Sequence, residues 1–132
     1  STYFSNIGEL NFYNKEFSKA EESYRKSLAL DESLGDKWGV SVDLVLLAQL
    51  YTETGRHEEA LECFKNSTAI KEKIGDMLGL AENRYEEGLL YEKLGKKDQA
   101  RDAFVSSVKL YKEIESPDVV DPEQELKQLS VV

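Results

Sequence analysis

The sequence is poor in cysteine, proline and histidine, and each shortage excludes a class of structure or chemistry. Its 132 residues include one Cys, two Pro and one His. One cysteine cannot form an intramolecular disulfide, which favours a reducing, cytoplasmic (intracellular) location. Both prolines lie after residue 116, so the preceding chain lacks the residue that most strongly breaks helices.

The sequence also lacks long apolar runs and an excess of basic residues. No segment reaches the roughly 18 consecutive apolar residues that suggest a transmembrane helix. The chain has 26 acidic and 17 basic residues, a net charge of −9, which argues against binding nucleic acid or an anionic membrane surface. A basic or apolar protein partner fits this charge, although the charge could equally serve only solubility.

Recognisable catalytic groups are missing as well. His57 is predicted to lie at an exposed helix start, without the partner and enclosed pocket that a general base needs. Cys63 aligns with Ser23 and Ala103 in the repeat described next, which predicts a small packing residue. One His and one Cys six residues apart make no metal ligand set. We therefore expect no enzymatic activity, no cofactor and no metal.

The sequence does contain a repeat with a period of 40 residues. Three columns of small or aromatic residues define it: Gly8, Ala48 and Gly88; Ala20, Ala60 and Ala100; Tyr24, Phe64 and Phe104. A period in this range marks a repeat architecture. Apolar residues recur at spacings of three and four, which predicts amphipathic helices.

Six long helices are predicted, over residues 1–14, 17–34, 37–54, 57–74, 77–94 and 97–114. They pair into repeats at about 1–35, 36–75 and 76–116, joined at Gly-Asp dipeptides that suit a helix end followed by an N-cap. The period is predicted to stop at residue 116. A short helix over residues 122–129, with Asp121 as N-cap, would then make 117–132 a C-terminal cap; a mobile tail is the alternative.

These columns resemble the tetratricopeptide repeat over residues 1–116. The matching positions are Gly8, Ala20, Tyr24, Leu47, Ala48, Tyr51, Gly55, Ala60, Phe64, Gly88, Tyr91, Gly95, Ala100 and Phe104. The 40-residue spacing and the Gly-Asp joints are similar to the long-helix variety in kinesin light chains and G-protein signalling modulators. The resemblance implies an all-α fold: a right-handed alpha-alpha superhelix (solenoid) of three helix-turn-helix repeats plus a short C-terminal capping helix.

The resemblance also implies a function, because the family binds peptides in a concave groove lined by the first helix of each repeat. We predict a scaffold or adaptor whose groove residues are Asn6, Glu9, Phe12, Tyr13, Val42, Val45, Leu46, Gln49, Glu53, Glu82, Tyr85, Glu86, Leu89 and Glu92. Apolar side chains bordered by acidic ones predict a partly apolar, basic protein or peptide. The acidic border argues against capture of a C-terminal carboxylate, as some family members achieve.

Several alternatives stay open at this point. Arg84 and Glu87 replace apolar packing residues and are three apart, so they form either a half-buried ion pair or a polar pocket. The chain could also be the peptide-sensing regulatory domain of a larger signalling or transcription protein. A third hypothesis is self-association through the solenoid ends, with Phe4 and Ile7 exposed at the first end.

Overall fold

The chain folds as seven α-helices and one short 3-10 turn, and a computed structural model describes residues 2–130 of it. The helices are α1 (Thr2–Tyr13), α2 (Phe17–Leu34), α3 (Lys37–Glu53), α4 (His57–Ile74), α5 (Met77–Lys93), α6 (Lys97–Glu113) and α7 (Val120–Ser130), with the turn at Pro117–Val119. The first six begin and end within one residue of their predicted bounds, and no strand occurs in the described residues. The all-α helical-repeat fold class is confirmed.

Helix α4 contains the boundary between two compact units, the first ending at Ile70 and the second beginning at Lys71. The first unit holds α1 to α3 and most of α4. The second holds the end of α4 together with α5, α6 and α7. The division into repeats at about 1–35, 36–75 and 76–116, with 117–132 as cap or tail, stays a prediction.

Paired helices approach closely where a small residue faces an aromatic ring. A Cβ atom added to Gly8 on α1 would lie 2.5 Å from a ring carbon of Tyr24 on α2, and Gly88 faces Phe104 on α6 in the same way. Tyr24 and Phe104 are buried. Since a heavy atom at that distance is a severe clash, these glycines allow the rings to pack on the facing helix backbone. The small columns of the repeat therefore have a packing cause.

A buried serine on the second helix of a pair joins it to the first. The Ser67 hydroxyl on α4 donates to the Ser41 carbonyl on α3 at 3.1 Å, and the Ser107 hydroxyl on α6 donates to the Ala81 carbonyl on α5 at 2.9 Å. Both serines are fully buried. Buried hydroxyl groups need such partners, so these bonds fix the register within each pair.

A polar network in the first unit holds α2, α3 and the start of α4 together. The Tyr51 hydroxyl on α3 donates to Glu21 Oε2 at 2.9 Å and accepts from Arg25, both on α2. Arg56 donates to Glu21 at 2.9 Å and to Glu59 at 2.6 Å, and its guanidinium lies 4.2 Å from the centre of the Tyr51 ring. Tyr51 is one of the positions that match the repeat; its ring is buried, and its hydroxyl joins these charged side chains.

The third joint has the geometry of the first two, although its sequence differs. Glu115 adopts φ 56°, where the earlier joints place Gly35 at φ 69° and Gly75 at φ 76°. The Ser116 amide donates to the Tyr111 carbonyl at 2.9 Å, as Asp36 does to Asp31 at 3.0 Å. The Ser116 hydroxyl also accepts from the Asp118 amide at 3.2 Å.

This capping places the start of the last helix earlier than predicted. The predicted helix over residues 122–129 is present, but it begins two residues earlier at Val120, so Asp121 lies inside α7 and is not its N-cap. Ser116 caps the 3-10 turn that leads into α7. A non-glycine residue at the helix end and serine in place of aspartate hid the joint from the sequence pattern.

Candidate functional site

Within the first unit, the predicted groove residues lie on α1 and α3, and none of them is buried. Helix α1 carries Asn6, Glu9, Phe12 and Tyr13, and helix α3 carries Val42, Val45, Leu46, Gln49 and Glu53. The side chains on α3 follow spacings of three and four residues, so they share one helix face. Gln49 and Glu53 are exposed at its C-terminal end.

The apolar part of this α3 face is accessible to solvent. Val42, Val45 and Leu46 are half-buried, whereas the neighbouring Leu44 and Leu47 are buried in the core. Half-buried aliphatic side chains keep apolar surface that a partner can cover. These α3 side chains therefore keep apolar surface that packing within the chain does not cover, as a binding surface requires.

The two aromatic residues predicted on helix α1 differ in exposure. Phe12 is half-buried, with its ring 5.7 Å from that of Phe17 in an edge-on arrangement, so the start of α2 covers part of it. Tyr13 is 83% exposed. Phe4 and Ile7, expected to be exposed at this end, are half-buried.

Within the second unit, the predicted apolar residues Tyr85 and Leu89 line a partly covered face of α5. Both are half-buried and pack against a cluster of Ala100, Phe104 and Leu129. The Tyr85 and Phe104 ring centres are 6.0 Å apart. Because Leu129 belongs to α7, that helix packs beside the same apolar residues that were assigned to the groove.

Five carboxylates surround this apolar face. Glu82, Glu86 and Glu92 come from α5 as predicted, while Asp121 and Glu125 come from α7 and were not predicted. Burial, together with the charge of Glu82, raises the pKa of Glu86. Burial and the neighbouring Glu125 raise the pKa of Glu92.

The same carboxylates also affect the pKa of Tyr85, the aromatic residue of this face. Burial raises the pKa of Tyr85, with further contributions from Glu125 and Asp121. In the described part of the chain, none of the five carboxylates forms a salt bridge. Glu86 and Glu92 are half-buried and lie close to other carboxylates, so this face has a negative potential. The sequence pattern did not indicate the α7 carboxylates, because it predicts only a cap or a tail for residues 117–132.

Arg84 has both features that the sequence left open. It forms ion pairs with Glu87 at 3.8 Å and with Glu72 at 3.7 Å, and Glu87 is only 2% exposed. Arg84 also lines a cavity of about 290 Å³ together with Tyr91, Gln99, Asp102, Ala103 and Ser106. Since its guanidinium is already engaged by two carboxylates, this cavity offers little free positive charge to an anionic ligand.

The first unit contains a buried pair of carboxyl groups, Asp31 on α2 and Asp43 on α3. They are 3% and 2% exposed, and the Ser27 hydroxyl donates to Asp43 Oδ1 at 2.8 Å. Burial and a hydrogen bond with Asp31 raise the pKa of Asp43 to about 7, while the same bond lowers the pKa of Asp31. Below about pH 7 the two groups therefore share a proton, which lets two acids occupy one buried seam.

No reactive centre emerges among the described residues. Burial raises the pKa of the Cys63 thiol, which favours the unreactive protonated form. Within residues 2–130, no three His, Cys, Asp or Glu side chains are grouped so as to hold a metal ion. None of the described helices combines the length and apolarity needed to cross a membrane.

Comparisons with known proteins place this geometry in a family. The model of the tetratricopeptide repeat family matches residues 1–73 and, in an overlapping register, 42–113. Proteins with this repeat generally mediate protein–protein interaction and are typically non-enzymatic scaffolds. No curated protein sequence matches the chain significantly.

Solved structures agree with the chain over nearly its whole length. BtubC (BKLC) from P. vanneervenii has 22% identity and a TM-score of 0.84, covering 96% of this chain and 52% of its own. The N-terminal domain of stress-induced protein-1 (STI-1) from C. elegans has 19% identity and a TM-score of 0.80, covering 98% and 93%.

The nearly identical TPR-like repeats named for a kinesin light chain of Podosopora anserina have 18% identity and a TM-score of 0.78, covering 97% of this chain and 64% of theirs. The chain thus spans about half the length of BtubC, and identities this low show the fold alone. Together with the family match over most of the sequence, they establish that this chain belongs to the tetratricopeptide repeat family.

Proposed function

We propose that the chain is a protein-binding scaffold or adaptor that takes an apolar segment carrying Lys or Arg side chains. The observation that carries this proposal is the face of α5 and α7 in the second unit. There, half-buried Tyr85 and Leu89 lie among five carboxylates that form no salt bridge in the described chain.

The negative charge of that face favours ligands with basic side chains. Each carboxylate whose pKa is raised by burial or by another carboxylate is stabilised when a cation approaches. A lysine or arginine of the partner would relieve the repulsion between Glu92 and Glu125 and that between Glu86 and Glu82. An acidic ligand would add to both, so we expect it to be rejected.

The apolar residues supply the remaining binding energy. Tyr85 and Leu89 keep exposed apolar area on the face of the second unit. The first unit has a separate apolar face of its own, formed by Val42, Val45 and Leu46. Covering such area stabilises a complex by about 25 cal/mol per Å² before the cost of association is subtracted. An amphipathic helix or an extended peptide with alternating apolar and basic residues would satisfy both demands.

Two further parts of the proposal follow from the same residues. Capture of a free C-terminal carboxylate is disfavoured, since the faces described carry acidic side chains where such capture needs basic ones. We also propose an intracellular location, because the single cysteine forms no intramolecular disulfide and is half-buried.

Defined peptides test the proposal without knowledge of the natural partner. Three synthetic peptides share one amphipathic pattern and carry Leu with Lys, Leu with Glu, or Ser with Lys. Fluorescence anisotropy should show saturable binding of the Leu/Lys peptide alone. Its affinity should fall with rising salt, because the Debye length shrinks from about 10 Å at 0.1 M to about 3 Å at 1 M.

Matched variants locate the site. Leu89→Asp should weaken Leu/Lys binding about tenfold by introducing a charge into the apolar face. Val105→Asp is the control, because Val105 lies on α6 and is 52% exposed. Equal affinities of the two variants, or equal binding of the Leu/Lys and Leu/Glu peptides, would refute the proposed site or the proposed ligand class.

A further inference from the structure

Helix α7 turns a different face inward from α5. The joint before α7 has the geometry of the earlier joints, so the 40-residue register of the repeat extends into this helix. In that register Lys127 and Gln128 correspond to Glu87 and Gly88 of α5. Glu87 and Gly88 are buried, whereas Lys127 and Gln128 are exposed. The face of α7 that the repeat pattern would bury therefore lies in solvent.

The inward face of α7 is the one at which the repeat places groove residues. Pro122 and Leu129 are buried and Leu126 is half-buried. At 3.6 residues per turn, these three positions fall within an arc of about 60°, on the side of the helix opposite Lys127 and Gln128. They stand 40 residues after three members of the predicted groove on α5: Glu82, Glu86 and Leu89. Relative to the register of α5, α7 is turned by about half a revolution.

In this orientation α7 covers part of the apolar face of α5. Leu129 belongs to a buried cluster that includes residues of α6, and Tyr85, Leu89 and Leu126 pack against this cluster. Two leucines spaced three residues apart are the kind of anchor with which an amphipathic helix binds in an apolar groove. An α-helix therefore fits beside Tyr85 and Leu89, and α7 occupies that position in the free protein.

The charges of α7 suit this position poorly. The helix carries three acidic residues and one basic residue. Burial, the charge of Glu125 and a hydrogen bond with it raise the pKa of Glu92 on α5, so α7 and α5 meet with like charges. The ion pair between Lys112 of α6 and Glu123 is 3.6 Å long and joins exposed side chains, so it holds α7 only weakly.

We propose that α7 is an internal competitor for the apolar face of α5, and that the partner is a basic amphipathic helix that takes its place. This inference rests on the proposed function, because it names the form of the same ligand and how its access to the face is regulated. The partner carries apolar side chains where α7 has Leu126 and Leu129, and Lys or Arg where α7 has Asp121 and Glu125.

The exchange replaces like charges with opposite charges at the same apolar contact. The α7 carboxylates leave with their helix, and three carboxylates of α5 remain to face the basic side chains of the partner: Glu82, Glu86 and Glu92. Complementary charge of this kind favours the partner over α7 and disfavours an acidic helix.

Attachment to the chain keeps α7 in place until such a partner binds. Only residues 114–119 separate α6 from α7, and a segment on a short linker meets its site at an effective concentration of the order of mM. The apparent dissociation constant of a ligand is its intrinsic value divided by the fraction of chains in which the face is open. With α7 released in about one chain in ten, loosening α7 should strengthen binding by up to about tenfold.

Hydrogen exchange of the full wild-type chain tests the competition without any variant. The backbone amides of α7 are followed by mass spectrometry with and without the Leu/Lys peptide. The peptide should speed amide exchange in α7, because a displaced helix loses its protection, and the Leu/Glu peptide should leave exchange unchanged. If the Leu/Lys peptide binds while exchange in α7 stays the same or slows, the proposal is overturned, since α7 then remains beside the ligand.

A substitution in α7 tests the effect on affinity. Leu126→Ser removes an apolar contact of α7, so it should speed exchange in α7 of the free protein and strengthen Leu/Lys peptide binding about tenfold. Gln128→Ser, on the exposed face of the same helix, is the matched control and should change neither. Binding by Leu126→Ser that is equal to or weaker than that of the control would overturn the competition and leave the proposed function intact. Absence of binding by the wild type and both variants would refute the proposed ligand class itself, and this inference with it.

Discussion

Replacing Asp43 by asparagine should stabilise the protein at neutral and alkaline pH. Asp43 is 2% exposed and faces Asp31, which is 3% exposed. At high pH the wild-type protein must hold two negative charges in this seam, which is costly in a desolvated site. Asparagine stays neutral, and its amide group can donate to the Asp31 carboxylate. The chain already places Asn83 at the equivalent position of α5, where it is buried.

The pKa of Asp43 gives the sign and the size of the effect. It is raised from 3.8 to about 7, so between those values the folded protein holds a proton that the unfolded chain has lost. Wild-type stability therefore falls as pH rises through this window and levels off above pH 7. One pKa unit corresponds to about 1.4 kcal/mol, so the shift sets an upper limit of about 4 kcal/mol. The lowered pKa of Asp31 offsets part of this loss of stability. We therefore expect Asp43→Asn to raise the free energy of unfolding by about 2 kcal/mol at alkaline pH.

Urea unfolding followed by far-UV circular dichroism, from about pH 4 to about pH 8.5, measures the effect. The gain from Asp43→Asn should be small at the acidic end and reach its full size at the alkaline end. Asp102→Asn, at an exposed position on α6, controls for the change in net charge. If the Asp43→Asn variant were less stable than wild type at alkaline pH, or had the same pH dependence, the shared proton would be refuted.

Three further predictions concern the packing of the second unit. Glu115→Gly should stabilise by about 1 kcal/mol, because Glu115 holds φ 56° and glycine adopts it without strain; an unchanged urea midpoint would contradict this. Gly88→Ala should lower the unfolding free energy by about 1–3 kcal/mol, since its methyl group meets the Phe104 ring, and thermal unfolding checks it. Ser107→Ala should cost about 1 kcal/mol by leaving the Ala81 carbonyl without its hydroxyl donor, a loss that Ser106→Ala, at a half-buried position without that bond, should not reproduce.

The six long helices and their pairing were predictable because their causes are local or periodic. Apolar spacing defines each helix, and the Asp36 carboxylate accepts from the Gly39 amide at 3.0 Å as an N-cap should. The repeat aligned Gly8 with Gly88, and the close approach of Tyr24 and Phe104 explains why both must be small. The Arg84–Glu87 pair also followed from spacing on one helix.

Features that depend on contacts between helices could not be predicted in this way. Asp31 and Asp43 are polar by composition, and only the packing of α2 on α3 buries them together. The carboxylates Asp121 and Glu125 reach the candidate site because α7 starts at Val120 and packs beside Tyr85 and Leu89. The serine cap at Ser116 would have indicated this start, since it stands 40 residues after Asp76.

A charge-swap binding experiment tests the proposed function most directly. Glu82→Lys combined with Glu86→Lys reverses two carboxylates of the candidate site, while Glu62→Lys with Glu113→Lys makes the same change in net charge at exposed positions of α4 and α6. The site variant should lose affinity for the Leu/Lys peptide about tenfold and gain binding of the Leu/Glu peptide, while the control variant keeps the wild-type preference. If both variants kept the wild-type preference, or shifted it equally, the account of this site would be contradicted.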